Sequence, residues 1–213
     1  MKYIIANWKT NMTEASIQEW TASFVTPDVT DTQIILAPTE IYLKELANQQ
    51  FTVCAQNISI YEDGAHTGET SVKQLKDFCK YALVGHTETG DDLQTKVIKR
   101  DLCLKYGITP IICFTTSAEA AKLSLPGCIL AWEAQANIST EGTFVQLNMP
   151  EIINILAEIN AVISADIPVL YGGSVNRQNI QKLANIKTIA GVLVGHASED
   201  PVHFAELITA LQN

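Results

Sequence analysis

Three ionisable side chains each close an apolar run in this chain. Lys9 follows Tyr3-Ile4-Ile5-Ala6-Asn7-Trp8, His86 follows Tyr81-Ala82-Leu83-Val84-Gly85, and Glu133 follows Ile129-Leu130-Ala131-Trp132. A carboxylate, an imidazole and an ammonium group are what is needed to take a proton from a carbon beside a carbonyl, polarise that carbonyl and hold negative charge. Glu88 stands two residues after His86. Two glycine-containing turns, Tyr171-Gly172-Gly173-Ser174 and Gly195-His196-Ala197-Ser198, lead into helix starts. Such turns expose backbone N–H groups, which with the helix dipole make an anion site. Together the groups suit a small phosphorylated carbonyl substrate. Taken singly, each has a blander reading: a solvated strand-end lysine, a hydrogen-bonded loop histidine, a carboxylate that caps the next element. Their joint occurrence at the ends of three different strands is what argues for chemistry.

Strands must bring these groups together. Runs rich in Ile, Val, Leu, Tyr and Cys recur at 3–9, 33–38, 52–57, 81–86, 109–114, 128–133, 167–173 and 189–196, and each reads as a strand. Continuous apolar runs of this length are typical of strands buried on both faces under helices. Helical patterns lie between them. Thr39 is expected to cap a segment with Leu43, Leu46 and Ala47 inward, and Ser71 with Gln74 forms a capping box before Leu75 and Phe78. Leu93, Val97 and Leu104 are expected to line the fourth-unit helix; Ile152, Leu156, Ile159 and Ile163 form a later stripe, after Asn148, Pro150 and Glu151. Asp200-Pro201 opens the last helix, with Phe204, Leu207, Ile208 and Leu211 inward. Eight β units alternating with helices predict an α/β chain folded as one (β/α)8 barrel domain over residues 1–213. A doubly wound open sheet is the alternative, but no glycine fingerprint follows the first strand. The chain is short for a barrel, about 250 residues being typical, and residues 115–127 leave the fifth helix only two or three turns. In a closed barrel the chemistry sits at the C-terminal strand ends, where Glu133, His86 and Lys9 fall.

Composition narrows the classes. The 213 residues are 47% hydrophobic and carry a formal net charge of −9, enough for one sizeable core and unfavourable to nucleic-acid binding. No apolar run reaches the length of a membrane span, so no membrane partner is expected. The N-terminus reads as a first strand and not as a signal peptide. Five cysteines without a CxxC pair read as buried reduced thiols of a cytoplasmic protein. The four histidines show no metal-ligand spacing, and neither a metal nor a cofactor is expected. His66 reads as a loop residue and His203 as a helix-surface residue. Trp8, Trp20 and Trp132 read as core.

Six motifs, in order and spacing, resemble the triosephosphate isomerase family over nearly the whole chain. Asn7-Trp8-Lys9-Thr10-Asn11 is similar to the family's N-W-K-x-N. Gln56-Asn57 with Gly64-Ala65-His66-Thr67-Gly68-Glu69 is similar to Q-N…G-A-x-T-G-E. Gly85-His86-Thr87-Glu88 resembles G-H-S-E, and Ala131-Trp132-Glu133 resembles A-Y-E. Tyr171-Gly172-Gly173-Ser174-Val175-Asn176 matches Y-G-G-S-V-N, and Gly191-Val192-Leu193-Val194-Gly195 resembles G-F-L-V-G. The resemblance implies a TIM barrel that interconverts dihydroxyacetone phosphate and D-glyceraldehyde 3-phosphate through an enediolate, without a cofactor, in glycolysis and gluconeogenesis. It implies Glu133 as base, neutral His86 as electrophile, and Asn7 and Lys9 as binders of substrate oxygens. Glu88 would hold Lys9 or shuttle a proton. It assigns substrate contacts to Ile138, Ser139, Gly172, Gly173, Ser174, Gly195 and His196. It also assigns a lid to Ala134, Gln135, Ala136, Asn137, Thr140, Glu141 and Gly142. A homodimer is implied through a loop with Thr67, Gly68 and Glu69, Thr67 standing beside Asn7 and Lys9 of the other chain.

The chain departs from the family at three places. Thr89 and Gly90 replace two arginines, removing an ion-pair partner for Glu69. Of the lid motif P-V-W-A-I-G-T-G-K only Ile138 and Thr140 survive. His196 replaces a glycine of the turn after the eighth strand. A barrel that keeps the site as a binding or regulatory protein, with weak or no isomerase activity, is therefore the alternative function. An aldolase or synthase is a third, against which no lysine ends the sixth or seventh strand to form a Schiff base.

Overall fold

The computed structural model describes residues 1–134 and 148–212. Among them are eight strands: β1 (Lys2–Asn7), β2 (Thr32–Ala37), β3 (Cys54–Ala55), β4 (Tyr81–Val84), β5 (Thr109–Phe114), β6 (Ile129–Trp132), β7 (Val169–Tyr171) and β8 (Gly191–Val194). The helices are α1 (Glu14–Ser23), α2 (Leu43–Asn48), α3 (Val72–Leu75), α4 (Leu93–Lys105), α5 (Ser117–Leu123), α6 (Met149–Val162), α7 (Ile180–Ala184) and α8 (Pro201–Gln212). All strand pairs are parallel, in the order β2-β1-β8-β7-β6-β5-β4-β3. A parallel bridge between Leu36 and Val53, with the Leu36 N–H donating to the Thr52 carbonyl at 2.9 Å, joins the two ends of that order. The architecture is a (β/α)8 TIM barrel and not the open doubly wound sheet.

Alternation along each strand sorts the core into two parts. One set, including Ile5, Ile35, Cys54, Leu83, Ile111, Cys113, Ile129, Ala131, Leu170 and Leu193, fills the barrel interior. The other, including Ile4, Ala6, Leu36, Ala82, Val84, Leu130, Val169 and Val192, meets the helices. The same period of two puts Asn7 in line with Ile5 and Glu133 in line with Ile129 and Ala131, so both turn inward where the strands end. Gly191 is required where β8 crosses β1, since a Cβ there would stand 1.9 Å from the Tyr3 carbonyl oxygen. Trp8 and Trp20 are core, as expected, and both indoles donate to the Ser198 carbonyl, at 3.2 and 3.0 Å. Trp132 is core too, edge-on to Tyr171. All five cysteines are buried and free. No helix of the described residues is long and apolar enough to cross a membrane.

Several expectations change. The expected runs at β3, β7 and β8 extend past both ends of the strands; at β3 Gln56 leaves the ladder and its amide donates to the carbonyls of Lys9 (2.8 Å) and Ala37 (2.9 Å). The fifth helix has seven residues, as its loop length required, but α3 has four and α7 five, so the shortening is not confined to the fifth unit. The capping box of Ser71 and Gln74 is present. On α4 the buried positions are Lys96, Lys99, Arg100, Leu102 and Cys103, with Leu93, Val97 and Leu104 only partly covered. Partners make this possible. Lys96 meets Glu119 at 3.1 Å, and Lys99 meets Asp91 at 2.7 Å and Asn57 at 2.8 Å. Arg100 meets Asp101 at 2.8 Å and donates to the carbonyls of Lys122 and Leu123 at the end of α5. His203 is half-buried and not a surface residue, and burial lowers its pKa. His66 is a loop residue, stacked on Tyr61.

Candidate active site

The ends of β1, β4 and β6 bring Lys9, His86, Glu88 and Glu133 into one connected group. Lys9 follows β1 in the left-handed region at φ +50°, a conformation that persists only where surroundings enforce it. Its N–H donates to the Asn7 side-chain oxygen at 3.2 Å, and its carbonyl accepts from Gln56. Its ammonium is 2.5 Å from Glu88 Oε1. Glu88 lies in the 3-10 turn Thr87–Thr89, which His86 caps: the Glu88 N–H donates to His86 Nδ1 at 3.3 Å. An imidazole nitrogen that accepts a hydrogen bond carries no proton, so the neutral ring carries it on Nε2. That nitrogen stands 3.2 Å from Glu133 Oε1.

Glu133 is 2% exposed. Its Oε2 accepts the Thr87 N–H at 2.8 Å and its Oε1 the Thr87 hydroxyl at 3.1 Å. Burial disfavours the charged carboxylate and pushes its pKa up to about 7, while the Thr87 donors and the charge of Lys96 pull the other way. Burial also lowers the pKa of His86, against the raising influence of Glu88. A carboxyl poised near neutrality beside a neutral N–H donor can take a proton from a substrate while the imidazole hydrogen-bonds the adjacent oxygen.

The β7 and β8 ends close the other side. A Cβ on Gly172 would lie 3.7 Å from Glu133 Cγ, and one on Gly195 would lie 3.9 Å from Lys9 Cε, so both turns adjoin the group formed by Lys9, His86, Glu88 and Glu133. The Gly172 N–H is engaged by the Trp132 carbonyl at 2.8 Å. A Cβ on Gly172 would also stand 3.2 Å from the Trp132 carbonyl oxygen, so the strands approach closely there. A Cβ on Gly173 would stand 2.3 Å from the Tyr171 hydroxyl. Ser174 is buried, and the Asn179 amide holds its carbonyl at 2.8 Å. His196 is 62% exposed on its side chain, with Nδ1 3.1 Å from Glu199, which in turn accepts from Asn11 at 2.6 Å.

Among the lid residues, Ala134 is buried directly after Glu133. Gln135, Ala136, Asn137, Ile138, Ser139, Thr140, Glu141 and Gly142 lie outside the described residues. Thr67, Gly68 and Glu69 belong to the loop 57–70, which is tied at its base by the Ser59 N–H to the Thr70 carbonyl at 2.9 Å. Three residues of the site were not singled out from sequence. Thr87 is a hydroxyl residue directly after a strand-end histidine, a signal that was available. Gln56 braces Lys9, and Lys96 acts on Glu133. Gln56 stands in the Q-N motif, but only packing reveals what it and Lys96 touch.

The chain is similar to known proteins along its whole length. The family described as triosephosphate isomerase matches residues 2–211. A triosephosphate isomerase of Ureaplasma parvum serovar 3 is 33% identical, with 98% of each chain covered. One from Francisella tularensis subsp. mediasiatica is 30% identical over 97% of this chain and 96% of its own. One from Wolbachia pipientis wMel is 26% identical over 98% and 93%.

Proposed function

The chain belongs to the triosephosphate isomerase family, and from that premise we infer that it interconverts dihydroxyacetone phosphate and D-glyceraldehyde 3-phosphate, with the proton carried by Glu133. The observation that supports this most is the contact of a buried, neutrally poised carboxyl with the Nε2 of a neutral imidazole. Glu133 takes the proton from the carbon next to the carbonyl. His86 donates its Nε2 hydrogen bond to the oxygen where charge develops, and Lys9 and Asn7 bind substrate oxygens. Lys9 also supplies local positive charge that a chain of net −9 otherwise lacks. Glu88 holds Lys9 through their 2.5 Å pair and orients His86 through its N–H. The base is parked on Thr87 and must leave at least one of those bonds to reach a substrate carbon.

The turns after β7 and β8 hold the phosphate through backbone N–H groups of Gly173, Ser174, Gly195 and His196, with Ile138 and Ser139 of the 134–142 lid added on closure. The whole chain forms one barrel domain that acts in the cytoplasm. Two copies pair through the loop 57–70, a reading supported by the exposure of Ile41, Ile60 and Tyr61. Sedimentation at micromolar concentration giving only a 23.3 kDa species would remove the dimer from this account. The reaction is tested by supplying glyceraldehyde 3-phosphate and following dihydroxyacetone phosphate. Wild type is expected to convert it and Glu133→Gln to fail. A variant retaining above about a tenth of the wild-type kcat would disqualify Glu133 as the base.

A further inference from the structure

Lys96 is a buried cation that the proton transfer described above does not use. It is 5% exposed, on the inner face of α4. Its methylenes run under Gly85, the residue before His86: a Cβ at Gly85 would lie 2.5 to 2.7 Å from Lys96 Cγ, Cδ and Cε. Gly85 is at φ +69°, so the turn that presents His86 needs both a glycine conformation and the space the Lys96 stem takes up. The Lys96 ammonium is 3.1 Å from Glu119 Oε1. The other oxygen of Glu119 accepts the Thr115 N–H and hydroxyl, both at 2.9 Å. Thr115 follows Phe114, whose carbonyl accepts the Glu133 N–H at 2.8 Å. Lys96 thus touches the backbone that carries the imidazole, and through Glu119 it is tied to the strand end that holds the carboxylate.

We propose that Lys96 is a positioning residue for both proton-handling groups, its stem setting the Gly85–His86 turn and its ammonium, held by Glu119, supplying buried positive charge to the Glu133 carboxyl. The proposal rests on the reading of Glu133 as base. Among the described residues, the charged and titratable groups that act on Glu133 are His86 and Glu88 from the turn after β4, Lys96 from α4 and Cys113 from β5. Glu88 opposes the carboxylate and Lys96 favours it, and the Cys113 thiol is held neutral by burial. Lys96 is therefore the cation on Glu133, and Glu119 sets how much of its charge is already neutralised.

Two substitutions push in opposite directions. Lys96→Met removes the cation, so the Glu133 titration moves to higher pH by about one unit. Glu119→Gln keeps the shape and the Thr115 bonds but frees the ammonium, so the titration moves lower by about half a unit. The readout is the carboxyl 13C resonance of labelled Glu133, assigned by its loss in Glu133→Gln, with the acid limb of kcat following it. Lys96→Arg is expected to restore most of the wild-type titration. A purely structural lysine would lower kcat at every pH and leave the titration in place. Shifts below about 0.2 pH units in both variants, or shifts of the same sign, would overturn the proposal. If Lys96→Met does not fold, Glu119→Gln alone decides it by the sign of its shift. Because the titration needs no turnover, a failure here is distinguishable from a failure of Glu133 as base, which the activity of Glu133→Gln reads.

Discussion

The two sides of the barrel mouth handle polarity in opposite ways. Where β4 and β6 end, Glu133 and His86 are buried or nearly so and each has a defined partner: Glu133 on Thr87 and His86, His86 on Glu88. In the turns that follow β7 and β8, Gly172–Ser174 and Gly195–Ser198, the residues are glycines or small apart from His196, which points to an exposed pair with Glu199. Proton transfer needs groups whose pKa is moved by desolvation and whose direction is fixed. Holding an anion needs backbone N–H groups, which a change of side chain leaves in place. The first side should therefore be intolerant of substitution and the second tolerant, as the chain itself suggests by keeping Glu133 and His86 while placing His196 where the family has glycine.

The hardest test of that contrast is Glu133→Gln, which keeps the shape and removes the proton acceptor. Its kcat is expected to fall by about 10² to 10⁴ or more, measured by isomerase assay. The same substitution should stabilise the fold at high pH. Glu133 has a folded pKa of about 7 against an ordinary 4.5, so the folded state holds the proton more tightly. Its carboxyl is no liability below pH 4.5, and stability is lost as pH rises through about 7. At about 1.4 kcal/mol per unit, Glu133→Gln should gain roughly 3 kcal/mol at pH 8 and almost nothing at pH 4.5. Urea unfolding at the two pH values reads it, and equal gains would refute a raised pKa. By the same sign, wild-type kcat/KM should rise with pH through about 7, where the base becomes available.

Smaller effects sharpen the comparison. Thr87→Val removes the hydroxyl bonded to Glu133 Oε1 and keeps the backbone bond to Oε2. Losing a donor to the charged form should raise the carboxyl pKa by up to about one unit, seen as a displaced acid limb with kcat above it changed less than about tenfold. On the tolerant side, His196→Gly should alter KM by less than about threefold and leave kcat alone, since a backbone donor is not removed. A tenfold KM change would mean that the imidazole, and not the main chain, holds the phosphate.

Periodicity and motif spacing carried the reading of the fold a long way. The barrel, the strand-end place of Glu133, the capping box at Ser71 and the core tryptophans were all legible, because each depends on apolar runs, alternation or local hydrogen bonding within a few residues. The inner face of α4 was not. Leu93, Val97 and Leu104 look like its buried stripe, yet Lys96, Lys99 and Arg100 are the residues covered. A cation can be buried only where carboxylates and carbonyls from other units meet it, and Glu119, Asp91 and the end of α5 are distant in sequence or follow no periodic rule. Likewise, sequence alone placed a carboxylate, an imidazole and an ammonium at three strand ends. Only closure of the barrel decided that Thr87 holds the Glu133 carboxylate, that Nε2 of His86 faces it, and that Gln56 fixes the strained Lys9. Side-chain type and local period are written along the chain, whereas desolvation and partner geometry arise when the ends of strands that are not neighbours in the sheet, 46 and 47 residues apart for Thr87 with Glu133 and Lys9 with Gln56, converge at one barrel mouth.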